Sequence, residues 1–190
     1  DLASCNFTSS GLKGTLKALI DDVVWNTGTN GTNSWKSASN GLASHFYSYE
    51  RSSNNGKICT SGNSCNDTVE RTTTWKGKIG LMYPSDYGYA TSGGSTSTRT
   101  SCLNKELYNW ASASDCKNND WLYNSSNKQW TISPAADSSY AIVAFDVYTA
   151  GNVQGDDVHY AGVVRPSVYL IPSTSILGGE GTLENPYEIG

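Results

Sequence analysis

The stretch that most constrains this chain is residues 141–148, where Val143, Phe145 and Val147 alternate with Asp146 and Tyr148. An apolar period of two predicts a half-buried strand, one face in a core and the other toward solvent or a partner. It lies within residues 130–170, where short apolar segments are separated by polar ones. That region reads as a display surface for binding, not as a catalytic centre.

The 190 residues suit a single domain, 1–190. Ser, Thr, Asn and Gly abound, and charged residues make up 16%, below the usual quarter, as in an extracellular module with long ordered loops. Six Trp and twelve Tyr supply contact area for a core or a recognition surface. A net charge of −4 without clustered Lys and Arg argues against nucleic acid. No apolar run approaches the ~18 residues of a membrane span. Residue 1 is Asp, so the numbering is read as starting at a processing point or boundary, within the C-terminal part of a longer surface protein.

Of five cysteines, Cys59 and Cys65 flank a tight polar segment and suit a small disulfide loop. Cys102 and Cys116 flank an aromatic helical segment and suit a second bridge, and Cys5 is left over. Two disulfides imply an oxidising compartment. No CxxC pair or His-rich spacing supports zinc, and no metal or cofactor is expected.

Leu12, Leu16, Leu19, Ile20 and Val23 draw one helical stripe, read as a core-facing helix capped by Ser9 or Ser10. Residues 26–40 read as a loop, followed by an aromatic segment at Phe46, Tyr47 and Tyr49, with His45 as a surface residue. Residues 72–83 form a strand candidate, 84–88 a turn, and 92–101 a flexible small-residue loop. That loop lacks a phosphate-binding pattern. Leu103, Leu107 and Trp110 predict a short helix over 102–110, and residues 183–189 an edge strand that tolerates Pro186.

There is no GxSxG elbow, and His45 and His159 are the only histidines. A polysaccharide-acting hydrolase would need two carboxylates at a set separation, which keeps it as a second alternative. Asp156 and Asp157 read as solvated loop aspartates in preference to a calcium site. Arg165 interrupts an apolar strand, and its five donors suit a structural clamp on a buried acid or loop carbonyls.

KIGLMYPSDYGYA, the 102–116 segment with NNDWL, WTISP, GNV, VVRPSVYL and GGEGTLENPYEI together resemble a family of gut Firmicutes surface proteins, some with prepilin-type leaders. The resemblance runs from about Leu19 to the end. The WxxSP and G-V-R-P strands are similar to the C-terminal half of C-type-lectin-like domains of the sulfatase-modifying-factor type, although Val163 replaces the Gly. That branch includes the variable proteins of diversity-generating retroelements, rewritten at adenine-containing codons. Asp137, Ser139, Tyr140, Asp146, Tyr148, Gly155, Asp156, His159 and Tyr160 lie within one or two adenine changes of an AAY codon, whereas Gln154 does not. The calcium-dependent sugar-binding motifs of true lectins are missing, and the reactive cysteine arrangement of sulfatase-modifying enzymes has no counterpart in the C-terminal region, where no cysteine follows Cys116, so neither activity carries over.

The resulting expectation is an α+β, C-type-lectin-like domain with two short helices, a twisted mainly antiparallel sheet and disulfide-pinned loops. It would be a non-catalytic, adhesin-like binding protein at a cell, pilus or virion surface, with a pilin-like structural subunit as the first alternative. Its partner would be a host or bacterial surface protein or a glycan. The expected contact set is Tyr140, Asp146, Tyr148, Gln154, Asp156, Asp157, His159 and Tyr160, with Arg165, Trp130 and Trp121 structural.

Overall fold

The computed structural model describes residues 14–27, 35–36, 40–50, 74–135, 142–182 and 184–190. Cys5, Leu12, the expected Cys59–Cys65 bridge and Tyr140 lie outside the described residues. The architecture is mixed α and β, with short helices and several small sheets. The chain divides into two compact units: 1–24 with 76–80 and 167–190, and 25–75 with 81–166.

In the first unit, α1 (Gly14–Leu19) is shorter than its stripe predicts and buries none of its residues. Val23 belongs to strand β1 (Val23–Asn26), because residues after Leu19 turn to pairing instead of continuing the helix. Ile20 bridges Leu170 in antiparallel fashion, and Ile171 and Asp21 donate their N–H groups to Leu19 and Tyr169 at 2.9 and 2.8 Å. The expected closing strand shrinks to Glu188–Ile189, which pairs antiparallel with Ile176–Gly178, and Pro186 falls outside it.

The second unit holds an aromatic core. Helix α2 (Ala43–Glu50) forms where an aromatic segment was expected. It buries Ala43, Phe46 and Glu50, whose spacing of three and four draws one helical face. Residues 72–83 do not make one strand: β2 (Thr74–Gly77) and β3 (Ile79–Leu81) are separate, and residues 76–80 of them belong to the first unit. The expected turn at 84–88 is helix α3 (Pro84–Ala90). Proline occupies its first turn, where its fixed φ suits a helix, and Asp86 accepts a 2.8 Å bond from the Tyr83 N–H. Gly88 lets α3 approach closely, since a Cβ there would lie 2.6 Å from that of Ala43.

The helix expected over 102–110 breaks into α4 (Arg99–Leu103) and a 3-10 helix, Leu107–Ser112. The break arises because the Leu107 N–H donates 2.8 Å to Gly41 instead of back along the helix. A short α5 (Ser114–Asn118) follows, and the Cys102–Cys116 disulfide joins it to α4. The loop expected to be flexible is tied down: the Asp115 carboxylate accepts from the Thr96 hydroxyl and N–H and from the Ser97 N–H. Five short α-helices among the described residues replace the two expected.

The unit's sheet comprises β4 (Gln129–Pro134), β5 (Val143–Val147), β6 (Val153–Asp157) and β7 (Val163–Val164), in the order β6-β5-β4-β7. Pairings are antiparallel except for β4 with β7, which is parallel. Phe145 and Val147 are wholly buried, as the alternation predicts. Phe145 meets Phe46 and Trp35 edge-on at 5.1 and 5.3 Å, the arrangement favoured by aromatic quadrupoles.

Candidate functional site

Register decides which side chains share the other face of this sheet. Asp146 stands opposite Trp130 on β4 and opposite Gln154 on β6, while Asp156 stands opposite Ala144. Directly opposed residues share a face, as do residues two apart. Asp146, Gln154, Asp156 and Trp130 therefore lie together, joined by Lys128 from just before β4.

Lys128 organises the cluster. Its Nζ donates to Asp156 Oδ2 at 2.9 Å, and its side chain is 9% exposed. The ammonium lies 4.4 Å from the Trp130 ring centroid and 5.1 Å from that of Tyr160. Both ring faces attract a cation, more strongly once water is excluded. Gly162 presses against the same indole: a Cβ there would meet Trp130 Nε1 at 2.8 Å, so the chain passes this close only without a side chain. After β6 the chain turns, with the Tyr160 N–H donating to Asp157 at 3.1 Å. The His159 and Tyr160 rings are 4.1 Å apart, and His159 Nδ1 is 3.7 Å from Asp157 Oδ2.

Asp146 is the main correction. The alternation places it on the solvent side, but the structure buries it completely. The reason is tertiary: its face is covered around Lys128, Trp130 and Asp156, so both faces of β5 are enclosed there. Burial pushes the Asp146 carboxyl up to about 7; Lys128 opposes the shift, Asp156 reinforces it, and Gln154 opposes it. For Asp156, burial acts upward, but the bond from Lys128, the Asp157 N–H and the charges of Lys128 and His159 hold it below its ordinary value.

The expected contact set is not one patch. Tyr148 begins the β5–β6 hairpin turn, whereas Asp157 ends β6, about 17 Å away along a five-residue strand. The hairpin end is clamped from below. Tyr123 Oη donates to Thr149, Lys117 Nζ to Ala150 and Tyr87 Oη to Gly151, at 2.7, 2.8 and 2.7 Å. At the other end the chain exposes Val158, His159 and Tyr160, together with Ile142, whose carbonyl accepts from the Val158 N–H. Sequence reasoning missed Lys128 as the centre of the site. Its i, i+2 relation to Trp130 was the available signal, but a lone lysine beside a strand has no distinctive pattern.

Arg165 acts as a clamp. Its Nε donates to Gln129 Oε1 at 3.2 Å, and its Nη2 reaches the Leu122 carbonyl at 3.5 Å. Gln129 Nε2 donates to the same carbonyl at 2.8 Å. Near this network lies Asp120, 5% exposed, whose Oδ1 accepts from the Leu122 N–H at 2.9 Å. Burial drives its carboxyl up to about 8 against the opposing pull of that N–H and of Arg165. Trp121 corrects the expectation of a structural tryptophan: it is 73% exposed, with the Arg165 guanidinium 5.9 Å from its ring centroid. His45, expected at the surface, is half-buried beside Tyr49, and burial lowers its pKa.

Among the described residues no group of three or more His, Cys, Asp or Glu is placed to hold a metal ion, and no helix is long and apolar enough to cross a membrane. No family model, no curated protein and no solved structure matches this chain.

Proposed function

We propose that this chain is a non-catalytic ligand-binding module of an extracellular surface protein, adhesin-like in role, with the turn after β6 as its contact element. The observation that carries this reading is the exposure of Val158, His159 and Tyr160 on a turn whose base is fixed by Lys128 and Trp130. Rigid aromatic area beside directional polar groups is the economy of a recognition surface, because little conformational entropy is lost on contact. Asp157 and His159 supply the polar contacts. Asp156 is engaged by Lys128, and Asp146 is enclosed. The Cys102–Cys116 disulfide supports an oxidising location.

The same reading takes the fold as C-type-lectin-like and the turn as the stretch that a retroelement would rewrite. His159 and Tyr160 are open to exchange, whereas rewriting Asp146 would disturb a buried cluster. A glycan or protein surface is the partner class.

The test is binding of the purified chain to a glycan array and to immobilised mucin and matrix glycoproteins. Wild type and a His159→Ala, Tyr160→Ala double variant are compared. At least one probe is expected to bind wild type and to lose about tenfold or more in the variant. Equal binding by the two proteins, or binding to no probe, overturns the proposal.

A further inference from the structure

Trp121 is the most exposed large aromatic side chain among the described residues, and it stands on a rigid base. Asp120 before it is 5% exposed and Leu122 after it 4%. Asp120 forms an antiparallel bridge with Thr91, its Oδ1 accepts from the Leu122 N–H at 2.9 Å, and its carbonyl accepts from the Tyr123 N–H at 3.1 Å. The Leu122 carbonyl accepts from Gln129 Nε2 and Arg165 Nη2, and the Tyr123 hydroxyl donates to Thr149. Single exposed apolar residues are ordinary on a protein surface. A tryptophan held outward between neighbours this firmly fixed is a platform: its freedom is already lost on folding, so contact with a ligand costs little more. Nothing in the reading of the turn after β6 uses it.

The chemistry of the platform selects its occupant. The Arg165 guanidinium stands 5.9 Å from the ring centroid, and most of the indole is open to solvent. The Trp121 Nε1–H has no hydrogen-bond partner among the described residues. Half-buried Arg165 engages two of its five N–H groups, on Gln129 and the Leu122 carbonyl, and the rest are unused there. The adjacent acid, Asp120, is enclosed and offers no exposed carboxylate. The site thus combines a flat π face with unused donors beside it, and its complement is a ring with a flat C–H face and oxygens around its edge. A nucleobase has the flat face, but its phosphates meet a chain of net charge −4 without clustered cations. A protein partner needs a broader apolar patch around such an anchor, and the residues on either side of Trp121 are enclosed. We propose that Trp121 and Arg165 form a second binding site, distinct in its residues from the turn after β6, that takes a pyranose ring of a glycan. The axial C–H bonds of one sugar face carry partial positive charge and lie against the negative face of the indole. The indole and guanidinium N–H groups donate to the sugar oxygens, more strongly where the sugar carries a carboxylate.

Methyl β-glucopyranoside and methyl β-glucuronide are titrated into the isotope-labelled full chain while the tryptophan indole N–H signals are followed by NMR. Trp121→Phe identifies the Trp121 signal by its disappearance. That signal should shift and saturate with a Kd on the order of millimolar, the strength of one small ring on one open face, and the glucuronide should bind more tightly than the glucoside. Trp121→Ala, followed through the backbone signals of residues 119–123, should weaken both titrations about tenfold or more while remaining folded. The His159→Ala, Tyr160→Ala double variant should titrate as wild type does, so the outcome here is separate from that for the turn. A Trp121 signal that neither glycoside moves overturns the proposal, as does a folded Trp121→Ala chain that binds as wild type. An equal shift with cyclohexanol, which has the C–H faces but a single hydroxyl, marks a plain apolar patch and overturns it too. A glucuronide no tighter than the glucoside overturns the part given to Arg165.

Discussion

Asp120 and Asp146 are two acids of similar burial in one unit, and their surroundings set them different tasks. Each is pushed up chiefly by desolvation, to about 8 and about 7. Asp120 sits where the chain turns: one oxygen is satisfied by the Leu122 N–H, and Arg165 is close enough to favour its charge. Arg165 is itself occupied with Gln129 and the Leu122 carbonyl. The acid therefore closes a local network. Asp146 stands instead on a strand facing a lysine already committed to a second carboxylate. Similar burial thus leaves one acid inside a local network and the other beside a cation paired elsewhere.

The largest effect should follow from removing that cation. Lys128→Met leaves Asp146 and Asp156 facing each other without a counter-charge, and truncating one member of a buried pair typically costs about 3–5 kcal/mol. Because Asp156 is partly exposed, with 27% of its side chain accessible, a loss near the lower end, about 3 kcal/mol, is expected from urea denaturation. A loss below about 0.5 kcal/mol, the range of ordinary surface substitutions, would put Lys128 on the surface and erase the contrast with Asp120.

A smaller, pH-dependent effect is expected at Asp120. Its pKa is raised on folding, so the stability tied to its retained proton is fully present below the unfolded value, near 4. That stability is lost as pH rises toward about 8. Asp120→Asn cannot ionise and keeps an oxygen for the Leu122 N–H. Its advantage over wild type should be small near pH 4 and grow to about 1–3 kcal/mol at pH 8. Parallel stability curves for the two proteins across that window would show that Asp120 ionises freely in the fold.

The smallest effect belongs to Trp121. At 73% exposure, Trp121→Ala should change stability by no more than about 0.5 kcal/mol despite the size of the side chain. A cost above about 1 kcal/mol would show that stacking on Arg165 matters to the Asp120 network and that the tryptophan is structural after all.

Much of the sheet was legible because its signal is local. The alternation at Val143, Phe145 and Val147 reports a strand directly, and all three lie on the core-facing side, Phe145 and Val147 fully buried. Arg165 as a clamp and the Cys102–Cys116 bridge were legible for a similar reason: a charge in an apolar strand, or a cysteine pair around a short helical segment, has few stable uses. Helix α3 was misread as a turn because Pro-Ser-Asp is chemically suited to both, and packing of Tyr87 and Gly88 against the core selects the helix. The helix over 102–110 was broken by a hydrogen bond to Gly41, a residue about sixty positions earlier, which no local pattern can report.

The same division runs through the site. By itself the sequence determined the strand, its core-facing residues, the polar character of the residues between them, the bridge and the clamp. Each of these is written in a period, a spacing or a side chain's donor count. Only the tertiary structure decided that Asp146 is enclosed and not displayed, that Tyr148 and Tyr160 stand at opposite ends of a hairpin, and that Lys128 is the hub. Burial and charge pairing depend on which distant segments cover a strand and in what register. A two-residue period fixes which face a side chain takes, but not what lies across from it.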